Sequence, residues 1–363
     1  MGRKTEPSGW RTVAPAVFGA WVWLTIPVSE TRRHQRRDRK RRRLRITLIA
    51  IGSVLALLIG TAAVYVAHIA NTFDSTESIE KAFPEESTRP EVTVGDAAKS
   101  QNILLLGSDT RGSLESIDNA SGQLSDTMMV AHISGDRKSI QIMSLMRDSW
   151  VEIPGKGTRK INAALSLGGV PLAVQTVESL IGVRIDHVAI VDFAGFEGMT
   201  NALGGVSLTN PIAFDSSHMK GRRFEQGPLS LNGKEALAFV RERYAFSDGD
   251  YQRVRNQQAF IKALVGKVLT AETLTNPVTI SNLVGAVAPF MKVDKDFTST
   301  YAASLGFELR DVRSDNMTFF TMPTLGTAMV GSQAIVRVNF DELENVKKHF
   351  REDTLLGYVP PKR

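Results

Sequence analysis

NILLLGSDTR, residues 102–111, carries the pattern from which the rest of this chain can be read: four successive aliphatic residues closed by small and charged ones. A run that short and that evenly apolar suits a β-strand covered on both faces better than an amphipathic helix. The same grammar recurs at 127–133, 139–146 and 187–191, and strands at 317–322 and 334–338 are predicted to close the sheet. Between them, 171–181, 233–240, 251–269 and 341–350 read as helices. In the third, Val254, Ile261, Leu264, Val265 and Val268 fall on one stripe. Strands alternating with helices, without an internal repeat, predict one α/β domain over 100–350. It is a mixed central β-sheet flanked by helices in an α/β/α arrangement.

Outward from that domain the chain changes character. Residues 46–67 read ITLIAIGSVLALLIGTAAVYVA, without a charge. As a helix they span roughly 33 Å, the thickness of a bilayer's hydrocarbon core. The span is set at 46–68. Residues 1–45 form a basic arm with 13 Lys and Arg against Glu6, Glu30 and Asp38. The whole chain carries +6, so the arm holds about +10 and the remainder about −4. Arginines before the span and Asp74, Glu77 and Glu80 after it predict a cytoplasmic N-terminus and an extracytoplasmic domain. This single-pass arrangement in the cell membrane brings anionic lipid against the arm. A mildly acidic domain argues against nucleic acid as a partner.

Residues 13–28 form a shorter apolar stretch with Trp21 and Trp23, suited to the membrane interface. Residues 69–99 read as an extracytoplasmic stalk and 351–363 as a tail. The absence of cysteine removes disulfides, thiolate metal sites and cysteine nucleophiles. No P-loop, GxSxG elbow or HExxH pair occurs. The six histidines stand without sequence partners, and His132 and His187 read as packed or surface residues.

Three polar clusters stand against the apolar framework. Asp109, with Arg111 beyond it, follows the first strand, at the end of a sheet strand where ligands bind in open α/β folds. Asp126 enters the next strand. Two carboxylates at neighbouring strand ends suit a hard cation such as Mg²⁺; a solvent-facing aspartate in a turn accounts for either one alone. The third cluster is basic: Arg147 after SIQIMSLM, and Arg241 and Arg243 in FVRERY. Arginines two apart share a face only in extended chain, so the helix must end near Val240. Asp250, Arg253 and Gln257 follow at one-turn spacing. Converging arginines beside carboxylates fit an anion with more than one phosphate, while simple ion pairs such as Arg253 with Asp250 fit the same spacing.

The ordered series NILLLGSDTR, LSDTMMVAHI, SLMRDSWVEIPGKGTRKINAALSLGG, LIGVRIDHVAIVDFAGF, LNGKEALAFVRERY and GDYQRVRNQQAF resembles the LytR-CpsA-Psr family, strongly over about 100–270. The resemblance implies an enzyme that moves a glycopolymer from a polyprenyl-pyrophosphate-linked carrier to peptidoglycan. The product would be a phosphodiester at the 6-hydroxyl of N-acetylmuramic acid. It implies Asp109 and Asp126 as ligands of Mg²⁺ or Mn²⁺. Arg147 and Arg243 are implied as catalytic, and Arg147, Arg241, Arg243 and Gln257 around the pyrophosphate, with Asp250 and Arg253 completing that region. Where members often carry an arginine two residues before the second carboxylate, this chain has Leu124. That phosphate contact is missing here or falls to Arg111. Asp109 or Asp126 is also the nearby base for the acceptor alcohol, a role that metal ligation would weaken. A hydrolase of lipid pyrophosphates, or a membrane-bound non-enzymatic regulator, would use the same residues differently.

Overall fold

The computed structural model describes the backbone of residues 30–108 and 125–361, and side chains from residue 51 onward within those ranges except 125, 126 and 314. The stretch at 13–28, the segment with Asp109, Arg111 and Leu124, and the side chain of Asp126 lie outside the described residues.

The chain forms two compact units, residues 1–67 and 68–363. In the first, helix α1 (Glu30–Asp74) begins; its described segment Ile51–Asp74 is long and apolar enough to cross a membrane. Ile51, Leu57, Ile59 and Val64 are each more than half exposed, so no protein core covers this helix. An α-helix apolar all round needs either a core or lipid. Helix α2 (Ala163–Ile181) passes the same length test but is mostly buried. It kinks at Gly168 and Gly169, the latter at φ 67, ahead of Pro171.

The second unit is built on a seven-stranded mixed sheet. Its strands are β1 (Glu77–Ile79), β2 (Gln101–Ser108), β3 (Ser125–Ile133), β4 (Ile140–Leu145), β7 (His187–Asp192), β12 (Met291–Asp294) and β13 (Met317–Thr321), in the order β1-β12-β7-β2-β3-β4-β13. Alternate residues face opposite layers. Leu104, Val130, Met143 and Val188 pack against α2 and α9 (Phe340–Glu352). Ile103, Met129 and Ile142 pack on the other face against α5 (Asp250–Val268) and α8 (Ser299–Glu308). Covering both faces explains why the central strands are apolar throughout. The α/β/α expectation is met.

Helices α3 (Phe193–Ala202) and α4 (Gly233–Arg241) join α5 in a cluster with two hairpin-like pairs. These pairs are β8 (Val206–Asn210) with β11 (Gly227–Leu231), and β9 (Phe214–Asp215) with β10 (Arg223–Phe224). At Gly233 an added Cβ would collide with the Glu197 carbonyl, so only glycine lets α4 approach α3 this closely. The short α6 (Ala271–Thr275) and α7 (Pro277–Val287) complete that side.

Three expectations are corrected. Residues 69–99 are not a free stalk: β1 pairs in parallel with β12, and Ile79 and Ala82 enter the core. Arg89 reaches the buried Glu178 at 2.6 Å. A few well-placed side chains dock this segment although its composition reads as linker. Residues 351–363 are likewise no simple tail, since Leu355 and Tyr358 are buried against the main core. The strand expected at 334–338 exists as β15 (Gln333–Val338) but does not close the central sheet. It pairs with β14 (Thr324–Val330) and β5 (Ser149–Ile153), and β6 (Gly157–Lys160) completes this separate four-stranded sheet. Its alternation leaves Arg337 exposed, which suits a sheet with one wet face.

Candidate active site

One edge of the central sheet gathers the polar strand ends. Strands β2 and β7 run parallel and β4 runs antiparallel to β3, so the ends of β2, β4 and β7 and the start of β3 lie together. Ser108 lies opposite Ser125 and beside Asp192 in the ladder. The register slips between Gly107, paired with Thr127, and Ser108, leaving Asp126 in a bulge. Bulges re-aim side chains and recur beside active sites. Leu145 pairs with Met128 at the end of β4, and Arg147 follows two residues later, in the turn that precedes Ser149.

The basic residues arrive from α4 and α5. Asn232 caps α4 in a capping box with Glu235, and the helix runs to Arg241. Glu242 is already extended, at ψ 129, one residue later than expected. Glu242 and Arg243 therefore leave the helix, while Arg241 remains its last residue. Glu242 turns inward: its carboxylate accepts from Ser217 N at 2.6 Å and Oγ at 2.9 Å, and from Arg243 N and Tyr244 N at 3.0 Å each. Burial pushes that carboxyl up, but these hydrogen bonds outweigh it and hold it below the usual value.

On α5, Arg253 Nη2 meets Asp250 Oδ1 at 2.6 Å. Burial raises the Asp250 carboxyl, against the pull of the Arg253 and Arg147 guanidiniums. The ion-pair reading of these two is thus correct, and it orients Arg253 rather than removing it from the site. Gln257 Nε2 donates to Thr127 Oγ1 at 3.0 Å and to the Val240 carbonyl at 3.3 Å, tying α5 to β3 and α4. Arg243 Nη2 donates to the Tyr244 hydroxyl at 2.6 Å. That bond raises the guanidinium and lowers the phenol. Arg241 lies over the Phe193 ring, 4.4 Å from its centroid.

Arg147, Arg241, Arg243, Arg253 and Gln257 all line one cavity of about 420 Å³. Most of the rest of its wall is apolar. Leu105, Met129, Ala189 and Val191 come from the sheet, Phe193, Phe196 and Met199 from α3, and Ile261, Leu264 and Val265 from α5. A volume of this size is typical of small-molecule sites. Four guanidiniums beside a greasy interior form an amphipathic receptacle.

Asp250 is not in that wall and acts through Arg253. Sequence reasoning missed Asp192, His218, Tyr244 and all of α3, which also line the cavity. A signal for Asp192 existed: it closes the apolar run 187–191 just as Asp109 closes its own. Asp192 is 2 % exposed and caps α3 by accepting from Ala194 N. Among the described residues no cluster of three or more His, Asp and Glu is suited to a metal ion. Asp109 and the side chain of Asp126, expected as ligands of Mg²⁺ or Mn²⁺, lie outside the described residues.

The LytR_cpsA_psr family model matches residues 63–352. The polyisoprenyl-teichoic acid–peptidoglycan teichoic acid transferase TagU of Enterococcus faecalis is 32% identical over 282 residues, 75% of this chain and 88% of that protein. The cell wall biosynthesis protein LcpA of Corynebacterium glutamicum is 28% identical over 306 residues, 74% of this chain and 58% of that protein. The crystal structure of Bacillus subtilis TagV superposes with a TM-score of 0.61 at 26% identity, covering 72% of this chain and 98% of that one. With the motifs in order, the sheet edge assembled and the family model spanning most of the chain, this protein belongs to the LytR-CpsA-Psr family.

Proposed function

We propose that this chain is a membrane-anchored phosphotransferase that moves a glycopolymer from a polyprenyl-pyrophosphate carrier to peptidoglycan. The observation carrying this reading is the cavity itself: an apolar interior for a prenyl chain opens beneath Arg147, Arg241, Arg243 and Arg253. Phosphoryl transfer depends on positioning and on neutralising charge at the phosphate oxygens, which guanidiniums do in pairs. The acceptor hydroxyl oxygen forms a new bond to the sugar-linked phosphorus. The bond from that phosphorus to the bridging oxygen breaks, and prenyl phosphate leaves with its charge held by the arginines. The alcohol's proton passes to a carboxylate at the strand ends, Asp109 or Asp126. These two would also hold Mg²⁺ or Mn²⁺, which when bound supplies further charge neutralisation on the pyrophosphate.

Membrane attachment through the apolar helix places the site near its lipid substrate, with the basic arm in the cytoplasm and residues from 69 onward outside. Because the chain has no cysteine, single introduced cysteines at positions 5 and 310 report sidedness cleanly. A membrane-impermeant maleimide applied to intact cells should label position 310 alone. Labelling at position 5 alone would reverse the topology.

The deciding assay incubates the full chain in detergent with a lipid-linked oligosaccharide pyrophosphate, Mg²⁺ and peptidoglycan fragments. A covalent phosphodiester product is expected, lost with EDTA. Arg243→Ala should lower turnover by roughly 10²–10³, the usual cost of removing one preorganised donor to a transition-state oxyanion. Release of prenyl phosphate at the same rate without acceptor would make the protein a hydrolase instead.

A further inference from the structure

Arg147 lines a second cavity, separate from the apolar one and about 580 Å³ in volume. This cleft belongs to the four-stranded sheet. Trp150 of β5, Arg159 and Lys160 of β6, Asn162 at the start of α2 and Gln333 of β15 surround it. Strand β5 buries Ser149, Val151 and Ile153 and turns Trp150 and Glu152 outward, so the indole stands half-buried on the wet face. In the ladder Trp150 is flanked by Lys160 on one side and Arg337 on the other. Lys160 Nζ pairs with Asp148 at 2.9 Å, and Arg159 remains exposed with its Nε on the Lys156 carbonyl.

The cleft is rigidly joined to Arg147. Asn162 N donates to the Arg147 carbonyl at 3.2 Å, Ile161 N to the Ser149 carbonyl at 2.8 Å, and Val336 N to the Asp148 carbonyl at 2.8 Å. A molecule lying in the cleft therefore ends at Arg147, the residue that also lines the apolar cavity. Its chemistry differs from the first cavity's. A flat aromatic face, side-chain amides and a cationic excess replace the greasy wall.

We propose that this cleft binds the acceptor, a glycan of N-acylated amino sugars bearing carboxylates, with one hydroxyl presented at Arg147. This rests on the transferase reading. The apolar face of a pyranose ring lies on the indole, whose rigid, amphipathic surface binds at low entropic cost. Asn162 and Gln333 take the hydroxyl and N-acyl groups. Arg159 and Lys160 take the carboxylates in charge-assisted hydrogen bonds. With the lipid donor in one cavity and the acceptor in the other, both reactants meet at Arg147, so the reaction becomes effectively intramolecular.

Trp150 supplies its own reporter. The chain has four tryptophans, and the other three are Trp10, Trp21 and Trp23. In the full-length chain carrying Trp10→Phe, Trp21→Phe and Trp23→Phe, emission comes from the cleft alone. Soluble, undecorated peptidoglycan strands are titrated in detergent. A saturable change in emission is expected, weakened about tenfold or more by Arg159→Gln with Gln333→Ala, as loss of a charge-assisted contact implies. Both positions are exposed, so the thermal midpoint should hold and the lipid donor should still bind. Neutral chito-oligosaccharides should bind at least about tenfold more weakly, for want of carboxylates. In turnover, the double variant should raise the acceptor KM and leave the donor KM in place.

No emission change at saturating strands overturns the assignment. So does equal binding by the double variant, or an equal response to polyglutamate, which would mark a general polyanion surface. Strand binding in the cleft without any phosphodiester product would sink the transferase reading and leave the glycan site standing. Transfer that proceeds with Trp150 silent would do the reverse.

Discussion

Glu242 shows how much of this site is held by a residue that never faces it. It stands between Arg241 and Arg243 in sequence, yet its buried carboxylate accepts backbone hydrogen bonds from Arg243, Tyr244 and Ala245 and holds Ser217. The two arginines keep their place because the residue between them is nailed inward. Glu242→Gln replaces one acceptor oxygen with a donor, and leaving such buried groups unpaired costs about 1–3 kcal/mol. The variant should melt lower and lose turnover although every arginine remains. Its pH dependence has a defined sign. The folded carboxyl lies below its ordinary 4.5, so its contribution is complete above that pH and is lost as pH falls through the lower, folded value. The wild type should therefore lose stability below about pH 4.5 more steeply than Glu242→Gln. Parallel acid melts of equal slope would refute this. Sequence reading grouped Arg241 with Arg243, which both line the cavity, because their spacing is local. It passed over Glu242 because Ser217 lies 25 residues away.

Among the elements, α3, α4 and α5 do the most to shape the site. The stripe on α5 was legible, but its members do different jobs. Val254 packs with Met146 and Val336, Leu264 joins the α3–α4 cluster, and Ile261, Leu264 and Val265 line the cavity. Helix α3 was not legible: ten residues rich in glycine and phenylalanine show no clear period, and its start is set by the Asp192 cap. Because the cavity is apolar, filling it should exclude a prenyl chain without leaving a polar group unpaired. Ile261→Trp should weaken binding of the lipid donor by about tenfold or more, while any overpacking stays within about 1–3 kcal/mol. Binding isotherms and melts on one preparation test this. Undiminished donor affinity would place the prenyl chain elsewhere.

At the scale of the molecule, the segments before and after the expected domain are structural parts of it. Arg89 sits in the former stalk and ion-pairs with Glu178, which is 1 % exposed. Arg89 Nη2 also donates to the Ile185 carbonyl at 2.6 Å. Removing one member of a buried pair strands the other, typically at a cost of about 3–5 kcal/mol. Arg89→Ala should lower the thermal midpoint sharply, whereas Arg89→Ala with Glu178→Gln should recover part of the loss. A single variant as stable as wild type would return residues 69–99 to the role of spacer. The composition of this segment could not reveal the pairing, because its partners lie near residues 178 and 290.

From sequence alone came the features written in neighbouring residues: the apolar span, the charge partition across it, the doubly covered strands, a break in helix near Val240 and the ordered motifs of the family. Each depends on period, composition or local spacing, which a chain displays before it folds. Tertiary structure alone decided which strands share a sheet, that β15 belongs to a second one, and that residues 77–99 and 355–358 close the core. It also decided that Arg147, Arg241, Arg243 and Arg253 line one apolar cavity. Those facts depend on pairings between residues far apart in sequence. Such pairings are selected by burial and register across the whole molecule.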